Sequence, residues 1–367
     1  MADTHPRGVA AAQEGSLSPR RRRHLRAWLW SGAALTFVTL VVGGITRLTQ
    51  SGLSIVDWDP IMGVVPPLNE AAWRQAFDRY RAFPEYQQLR TGMSLAEFKF
   101  IYFWEYLHRL VARLIGVVFL LPFAWFWARG YLNRRWLRRA GLLFALGALQ
   151  GVMGWFMVMS GLVDRPSVSH YRLAAHLALA FAIVGTCLWF AADLSPRAAS
   201  RAPARARPRY LLAGVWALGG VLAAQVVWGA FTAGLDAGHV FNTFPRMGGR
   251  WLPPGLDALS PVARNLVENP VAVQWVHRVL ATVLLVGAAA LQVYAWRAGA
   301  DARSRRFAAG MVALVLAQYL LGVATLLLVV PVSLAVAHQA AALVLFGTWI
   351  SWLHHLTRGP AARPAAT

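Results

Sequence analysis

The sequence predicts an all-α integral membrane protein in which eight membrane-spanning helices form two pseudosymmetric four-helix bundles. The chain has 367 residues, of which 57% are hydrophobic and 14% are charged, and this is too apolar for a soluble domain of that size. Several apolar runs exceed the ~18 residues that mark a membrane span. One motif occurs twice, as EYLHR at residues 105–109 and as QWVHR at residues 274–278, and each copy opens an apolar run.

The net charge of +21 is concentrated in short arginine clusters between the apolar runs. A soluble protein with this excess would suggest nucleic-acid binding, but basic clusters at the ends of apolar runs are typical of cytoplasmic loops. We therefore predict a protein of the lipid bilayer that has no nucleic-acid partner. The single cysteine, Cys187, lies within an apolar run, so an intramolecular disulfide is excluded.

The first half contains four predicted spans, near residues 27–48, 103–128, 139–161 and 171–192. The first follows an arginine-rich cytoplasmic tail, residues 1–26, and is too long and uninterrupted for a cleaved signal peptide. The second begins at the EYLHR motif, and the third follows an arginine cluster. The fourth carries His176 near its start and ends at a linker, residues 195–209, rich in Ala, Pro and Arg. The first bundle is thus predicted over residues 27–194.

The second half repeats this order, with spans near residues 210–235, 273–297, 307–330 and 333–354. The QWVHR motif opens the second of these spans, and His338 lies near the start of the last. The second bundle is predicted over residues 210–355, and a cytoplasmic tail over 356–367. Because each half starts on the cytoplasmic side, the two repeats are parallel and are related by an axis along the membrane normal.

The arginine clusters also predict the orientation of the chain, with both termini in the cytoplasm. The two long loops, about 50–100 and 236–272, then face outward, and amphipathic stretches at 70–83 and 261–267 predict surface helices over the bundle mouths. Several further positions match between the halves. They are residues 57–63 with 242–248, Gln150 with Gln318, and Gly154 with Gly322.

Four histidines occupy matching places at the outer ends of the even-numbered spans: His108, His176, His277 and His338. A lone histidine at a span end is usually an interfacial residue, but four at repeat-related positions indicate two pairs of metal ligands. Zinc would require three or four clustered ligands. Two imidazoles from facing helices instead suit a six-coordinate haem, whose porphyrin supplies the other four ligands. Arg109 and Arg278 either pair with haem propionates or face lipid headgroups.

The two motifs differ chemically at one position, where Glu105 in the first half is matched by Gln274 in the second. Glu105 lies three residues before His108, so both share one helix face. A structural interpretation is that its carboxylate holds the outer loop by hydrogen bonds. A functional interpretation is that it is catalytic beside the first metal site, because glutamine keeps the size and hydrogen bonding but lacks the charge. The asymmetry favours a reactive first half and an electron-transferring second half.

These residues resemble the haem A synthase family, over nearly the whole chain from about residue 43 to His338. The resemblance rests on residues 44–54, 105–109, 149–155, 171–176, 229–238 with 241–245, and 274–278. Some members of that family carry a cysteine pair in the first outer loop. This chain has none between residues 50 and 100, so it is similar to the branch of proteobacteria and mitochondria.

The resemblance implies that the enzyme oxidises the C8 methyl group of haem O to a formyl group by successive hydroxylations, which gives haem A for cytochrome oxidase. It implies that His277 and His338 hold a permanent haem b, and that His108 and His176 mark the haem O site with Glu105 essential beside it. Glu105 would either take a proton from the attacking water or stabilise a cationic intermediate. Arg109 and Arg278 are the expected propionate partners.

The expected location is the bacterial inner membrane, with the haem sites towards the periplasmic side. Haem O synthase, the protohaem farnesyltransferase, is the partner that the family implies, while the electron acceptor and the oligomeric state, a homo-oligomer included, stay open. Two alternative functions remain. A dihaem cytochrome of the b type would not require the Glu105–Gln274 difference, and a transporter would predict broken helices with a midplane site.

Overall fold

The computed structural model describes residues 17–56, 62–162, 168–195 and 208–358, and this part of the chain is helical with no strands. Eight of its helices are long and apolar enough to cross a membrane, which confirms the predicted fold class. The helices, numbered in chain order, are α1 (Pro19–Leu48), α2 (Glu70–Arg81), α3 (Pro84–Leu89), α4 (Leu95–Ala128), α5 (Arg134–Leu162), α6 (His170–Asp193), α7 (Leu211–Gly234), α8 (Asn265–Glu268), α9 (Pro270–Arg297), α10 (Ala302–Leu327) and α11 (Val332–Arg358). The spans are all of these except α2, α3 and α8.

Two helices begin well before the apolar runs that predicted them. Helix α1 begins at Pro19, where the Ser18 side chain accepts a hydrogen bond from the backbone N–H of Arg21. Helix α4 begins at Leu95 with a capping box, in which Ser94 and Glu97 satisfy each other's backbone N–H groups. These helices therefore extend beyond the spans predicted near residues 27 and 103, because polar caps ahead of the apolar runs set their first residues.

The eight spans form two groups that meet along a central interface. In the first group α1 packs against α4 and α6, and α5 packs against α6. In the second group α7 packs against α9 and α11, and α10 packs against both α9 and α11. Helices α1, α6, α7 and α11 join the groups. Helices α4, α5, α9 and α10 therefore lie on the outside, against the lipid.

A cluster of polar side chains joins α5, α6 and α11 at their predicted cytoplasmic ends. Asp193, the last residue of α6, pairs with Arg139 of α5 and lies 2.8 Å from Nε2 of His354 in α11. All three side chains are largely buried. His354 is thus a structural partner of Asp193 at the far end of the bundle from the four predicted ligands.

The outer loops contain the predicted surface helices. Helix α2 places Phe77 and Tyr80 against Phe98 and Ile101 at the start of α4, which forms a small separate core. The second predicted helix is a 3₁₀ turn, Val262–Arg264, followed by the short α8. Two loop segments, residues 57–63 and 242–248, were predicted to match between the halves. Residues 57–61 of the first segment lie outside the described residues.

Candidate functional site

Each of the four predicted ligand histidines has its ring against a glycine of the neighbouring helix. The pairs, with the distance from an added glycine Cβ to the imidazole Cε1, are Gly43–His108 at 2.7 Å, Gly154–His176 at 3.4 Å, Gly229–His277 at 3.1 Å and Gly322–His338 at 2.8 Å. Real Cβ atoms essentially never approach closer than 3.0 Å. The glycines at residues 43 and 322 are therefore required for the rings to occupy these places.

A polar residue lies one helical turn before each of these glycines. The four are Thr39, Gln150, Gln225 and Gln318. Gln150 and Gln225 place their Nε2 atoms 3.1 and 3.3 Å from Nε2 of His176 and His277, and Gln318 Nε2 donates to the backbone carbonyl of His338 at 2.8 Å. The pairs Gln150–Gly154 and Gln318–Gly322 were predicted from the repeat, whereas Gln225–Gly229 was not, although it has the same Q-x-x-x-G spacing. Thr39 breaks this pattern before Gly43, so the spacing gives no signal there.

The histidines lie two to a bundle, with His108 on α4 and His176 on α6 in the first, and His277 on α9 and His338 on α11 in the second. The Nδ1 atom of each ring is buried without a hydrogen-bond partner. A buried polar atom without a partner is costly, and a metal-ligating imidazole normally has both of its nitrogens engaged. Two imidazoles per bundle, each accommodated by a glycine of the neighbouring helix, suit the two protein ligands of a haem iron. Within the described residues there is no cluster of three or more His, Cys, Asp or Glu side chains suited to a metal ion.

Glu105 is a buried carboxylate, 2% exposed, that is fully engaged by three donors. Its Oε2 accepts from the Ser54 hydroxyl at 2.7 Å and from the backbone N–H of Ile55 at 2.8 Å. Its Oε1 accepts from Arg109 Nη2 at 2.6 Å, and the same nitrogen donates to the Ile55 carbonyl at 2.8 Å. The acidic residue and the arginine of the motif together hold the first outer loop, as the structural interpretation predicts.

The second motif also bonds to an outer loop, but the hydrogen bond of Gln274 runs in the opposite direction to that of Glu105. Arg278 donates to the backbone carbonyls of Phe241 and Thr243, both at 2.8 Å. Gln274, also 2% exposed, donates its amide to the Phe241 carbonyl at 3.1 Å. Where Glu105 accepts a backbone N–H, Gln274 therefore donates to a backbone carbonyl. Both motifs fix an outer loop, but only the first places a negative charge within one helical turn of its histidine.

A second buried carboxylate, Glu85 of α3, lies in the outer loop of the first half. It is 4% exposed and its Oε1 lies 3.6 Å from Nε of Arg90, while its Oε2 has no hydrogen-bond partner. Burial raises the pKa of Glu85 to about 7 against the attraction of Arg90, and the charge of Glu105 raises it further. Glu85 was not predicted as a site residue, because a glutamate between polar loop residues resembles any solvated one.

The model of the COX15-CtaA family, described as cytochrome oxidase assembly protein, matches residues 26–350. The chain belongs to this family. Three relatives named heme A synthase illustrate the similarity. The chain is 49% identical to the one from Rhodospirillum centenum, covering 98% of this chain and 94% of the relative. It is 47% identical to the one from Bradyrhizobium sp. strain ORS 278, with 87% and 88% covered, and 45% identical to the one from Nitrosospira multiformis, with 92% and 94% covered.

Membership in the family confirms the resemblance drawn from the sequence motifs. The match spans both bundles and the outer loops between them. All four histidine–glycine pairs and both arginine motifs lie within the matched residues. The ligand and catalytic roles of the individual side chains stay predictions.

Proposed function

We propose that this chain is an oxidoreductase that converts haem O to haem A by oxidising the C8 methyl group of the porphyrin to a formyl group. The observation that carries this proposal is the Glu105–Gln274 difference at otherwise matching places in a member of the COX15-CtaA family. A protein with two electron-carrying sites has no need to place a carboxylate beside one histidine pair and an amide beside the other.

The two histidine pairs are proposed to hold different porphyrins. His108 and His176 bind the substrate haem O, and His277 and His338 bind a permanent haem b, which supplies one-electron chemistry when bound. Gly43 and Gly322 give the rings of His108 and His338 the space that they occupy, and Gln150 and Gln225 orient the imidazoles of His176 and His277. Arg109 and Arg278, which anchor the outer loops over the sites, are the proposed neighbours of the propionates.

Oxidation of a methyl group to a formyl group consumes one water molecule and releases four protons and four electrons. The proposed role of Glu105 in this reaction is electrostatic. Its oxygens are occupied by Arg109, Ser54 and the Ile55 N–H, so the carboxylate is fixed in place with little capacity left to accept another proton. A fixed negative charge beside the reacting methyl group stabilises positive charge that develops there.

The charge distribution supports an orientation of the chain in the membrane, and the family supports its location and the source of its substrate. The enzyme is a multi-pass protein of the bacterial inner membrane, with both termini in the cytoplasm and both porphyrin sites towards the periplasm. Haem O is delivered by the farnesyltransferase that makes it, in the same membrane.

The experiment that tests the function is haem extraction and chromatography from membranes in which the chain is expressed with a haem O synthase. We expect haem A from the wild type and at least a tenfold loss in Glu105→Gln, with the low-spin b-type spectrum retained. The matched control is Gln274→Glu, which changes the same pair of side chains in the other bundle and is expected to keep haem A production. Haem B alone from the wild type, with a full low-spin spectrum, would identify an electron-carrying cytochrome instead.

A further inference from the structure

The first bundle is open along one edge. In the second bundle every neighbouring pair of helices packs together, which closes a ring through α7, α9, α10 and α11. In the first bundle the described backbones of α4 and α5 lie too far apart to pack closely, and ring contacts of Phe119 and Phe123 with Phe144 join the two helices at one end. These two helices are remote from the interface between the bundles, so the gap faces the lipid.

The gap follows from two glycines. When Gln150 is aligned with Gln318, Gly147 and Gly151 of α5 match Val315 and Tyr319 of α10. Val315 is 2% exposed in the core of the second bundle. By contrast, a Cβ added at either glycine would meet no atom within 4 Å. The side chains that fill the seam of the second bundle are thus absent from the first.

A cross-helix hydrogen bond is lost in the same place. The Tyr319 hydroxyl lies 3.3 Å from Oγ1 of Thr282, which joins α10 to α9. The matching positions in the first bundle are Gly151 and Arg113. Glycine has no side chain, so the hydroxyl–hydroxyl bond of the second bundle has no counterpart at Gly151.

The gap leads to the proposed substrate site. Towards the cytoplasm it is closed by Phe144 of α5, whose ring lies 5.0 Å from that of Phe123 in α4. Towards the outer side it reaches Gln150, which contacts His176, and Gly154, which lies against the same ring. The Nδ1 of His176 and the Oε1 of Gln150 are buried without partners there. The loosely packed edge therefore runs from the Phe123–Phe144 contact to His176, one of the two histidines proposed to hold the exchanged porphyrin.

We propose that the gap between α4 and α5 is a lateral portal, through which haem O passes from the bilayer to His108 and His176 and haem A returns. This inference rests on the proposed function. Haem O carries a long isoprenoid chain, which would be exposed to water on any route through the outer loops. The lateral route keeps the chain in hydrocarbon, with Gly147 and Gly151 providing the groove in which it lies. The closed second bundle retains its haem b, which has no such chain and is never exchanged.

The first test gives α5 the side chains that α10 has at the matching positions, by combining Gly147→Val with Gly151→Tyr. We expect at least a tenfold fall in haem A, accumulation of haem O in the membrane and an unchanged b-type spectrum from the intact second bundle. The matched control is Gly141→Val on the same helix, where an added Cβ also meets no atom within 4 Å, and it is expected to keep wild-type activity. Full haem A production by the double variant would overturn the portal while leaving the proposed function intact.

The second test does not depend on activity. Gly147→Cys places a thiol in the gap, and the native Cys187 is fully buried. A lipid-soluble maleimide is expected to label the variant in membranes and to leave the wild type unlabelled. Loading with haem O should slow the labelling at least fivefold, whereas Gly141→Cys should be labelled at the same rate with and without haem O. Labelling of Gly147→Cys that haem O does not slow would overturn the proposal, and absence of haem A from the wild type would instead refute the proposed function.

Discussion

At the scale of single residues, the four histidine–glycine contacts are the most demanding feature of the site. A Cβ on Gly322 would lie 2.8 Å from Cε1 of His338, closer than real Cβ atoms approach. We predict that Gly322→Ala displaces the imidazole and lowers the b-type low-spin haem content of the purified protein at least fivefold. Overpacking of this kind typically costs about 1–3 kcal/mol. The measurement is the pyridine haemochrome content for each mole of protein.

The control for this prediction is Gly310→Ala on the same helix. Gly310 has nothing within 4 Å of an added Cβ, and alanine favours a helix more than glycine does. We expect this variant to bind haem as the wild type does. Equal haem content in the two variants, both at the wild-type level, would show that the His338 ring tolerates a methyl group and that the glycine is not required.

At the scale of secondary-structure elements, the outer helices α2 and α3 bury Glu85 where it cannot be solvated. The groups that face it are Arg90, the Tyr80 hydroxyl and, at longer range, Glu105. Its pKa of about 7 lies above the usual 4.5, so the folded protein binds this proton more tightly than the unfolded chain. The stability that Glu85 contributes is present below about pH 4.5 and is lost as the pH rises towards 7, by up to about 3 kcal/mol.

We therefore predict that Glu85→Gln flattens the decline in thermal stability of the detergent-solubilised protein between pH 5 and pH 8. Glu70→Gln is the matched control, because Glu70 is exposed and Arg74 lowers its pKa, so it stays ionised across this range in both states. Its melting profile should follow that of the wild type. Parallel profiles for the wild type and Glu85→Gln would show that Glu85 is not held in its protonated form.

The elements also show how far the sequence predicts this structure. Long apolar runs were sufficient to predict the eight spans, because hydrophobicity is a local signal. The first residues of α1 and α4 were not predicted, because they depend on capping side chains outside those runs. The burial of Glu85 and the gap beside Gly147 depend on which helices pack together. No local pattern reports that, although comparing Gly147 with Val315 across the repeat would have indicated the gap.

At the scale of the whole molecule, the balance of charge differs between the two ends of the helix bundles. The arginines of the outer loops stand beside acidic residues, as in the pairs Arg74–Glu70, Arg81–Asp78, Arg90–Glu85 and Arg264–Glu268. At the other end Asp193 is shared among Arg135, Arg139 and Arg358. An excess of arginine close to the span ends favours the cytoplasmic side, because positive loops are retained there during insertion.

This asymmetry predicts the orientation of the whole chain, which single cysteines can measure. Leu68→Cys and Val262→Cys place thiols on strongly exposed positions of the two outer loops, and Arg134→Cys places one at the start of α5 on the opposite side. The native Cys187 is buried and contributes no background. In intact spheroplasts a membrane-impermeant maleimide is expected to label the first two variants, and to label Arg134→Cys only after permeabilisation. The reverse pattern would place both porphyrin sites on the cytoplasmic side, which would invert the proposed topology and move the source of water and the exit of protons to the other compartment.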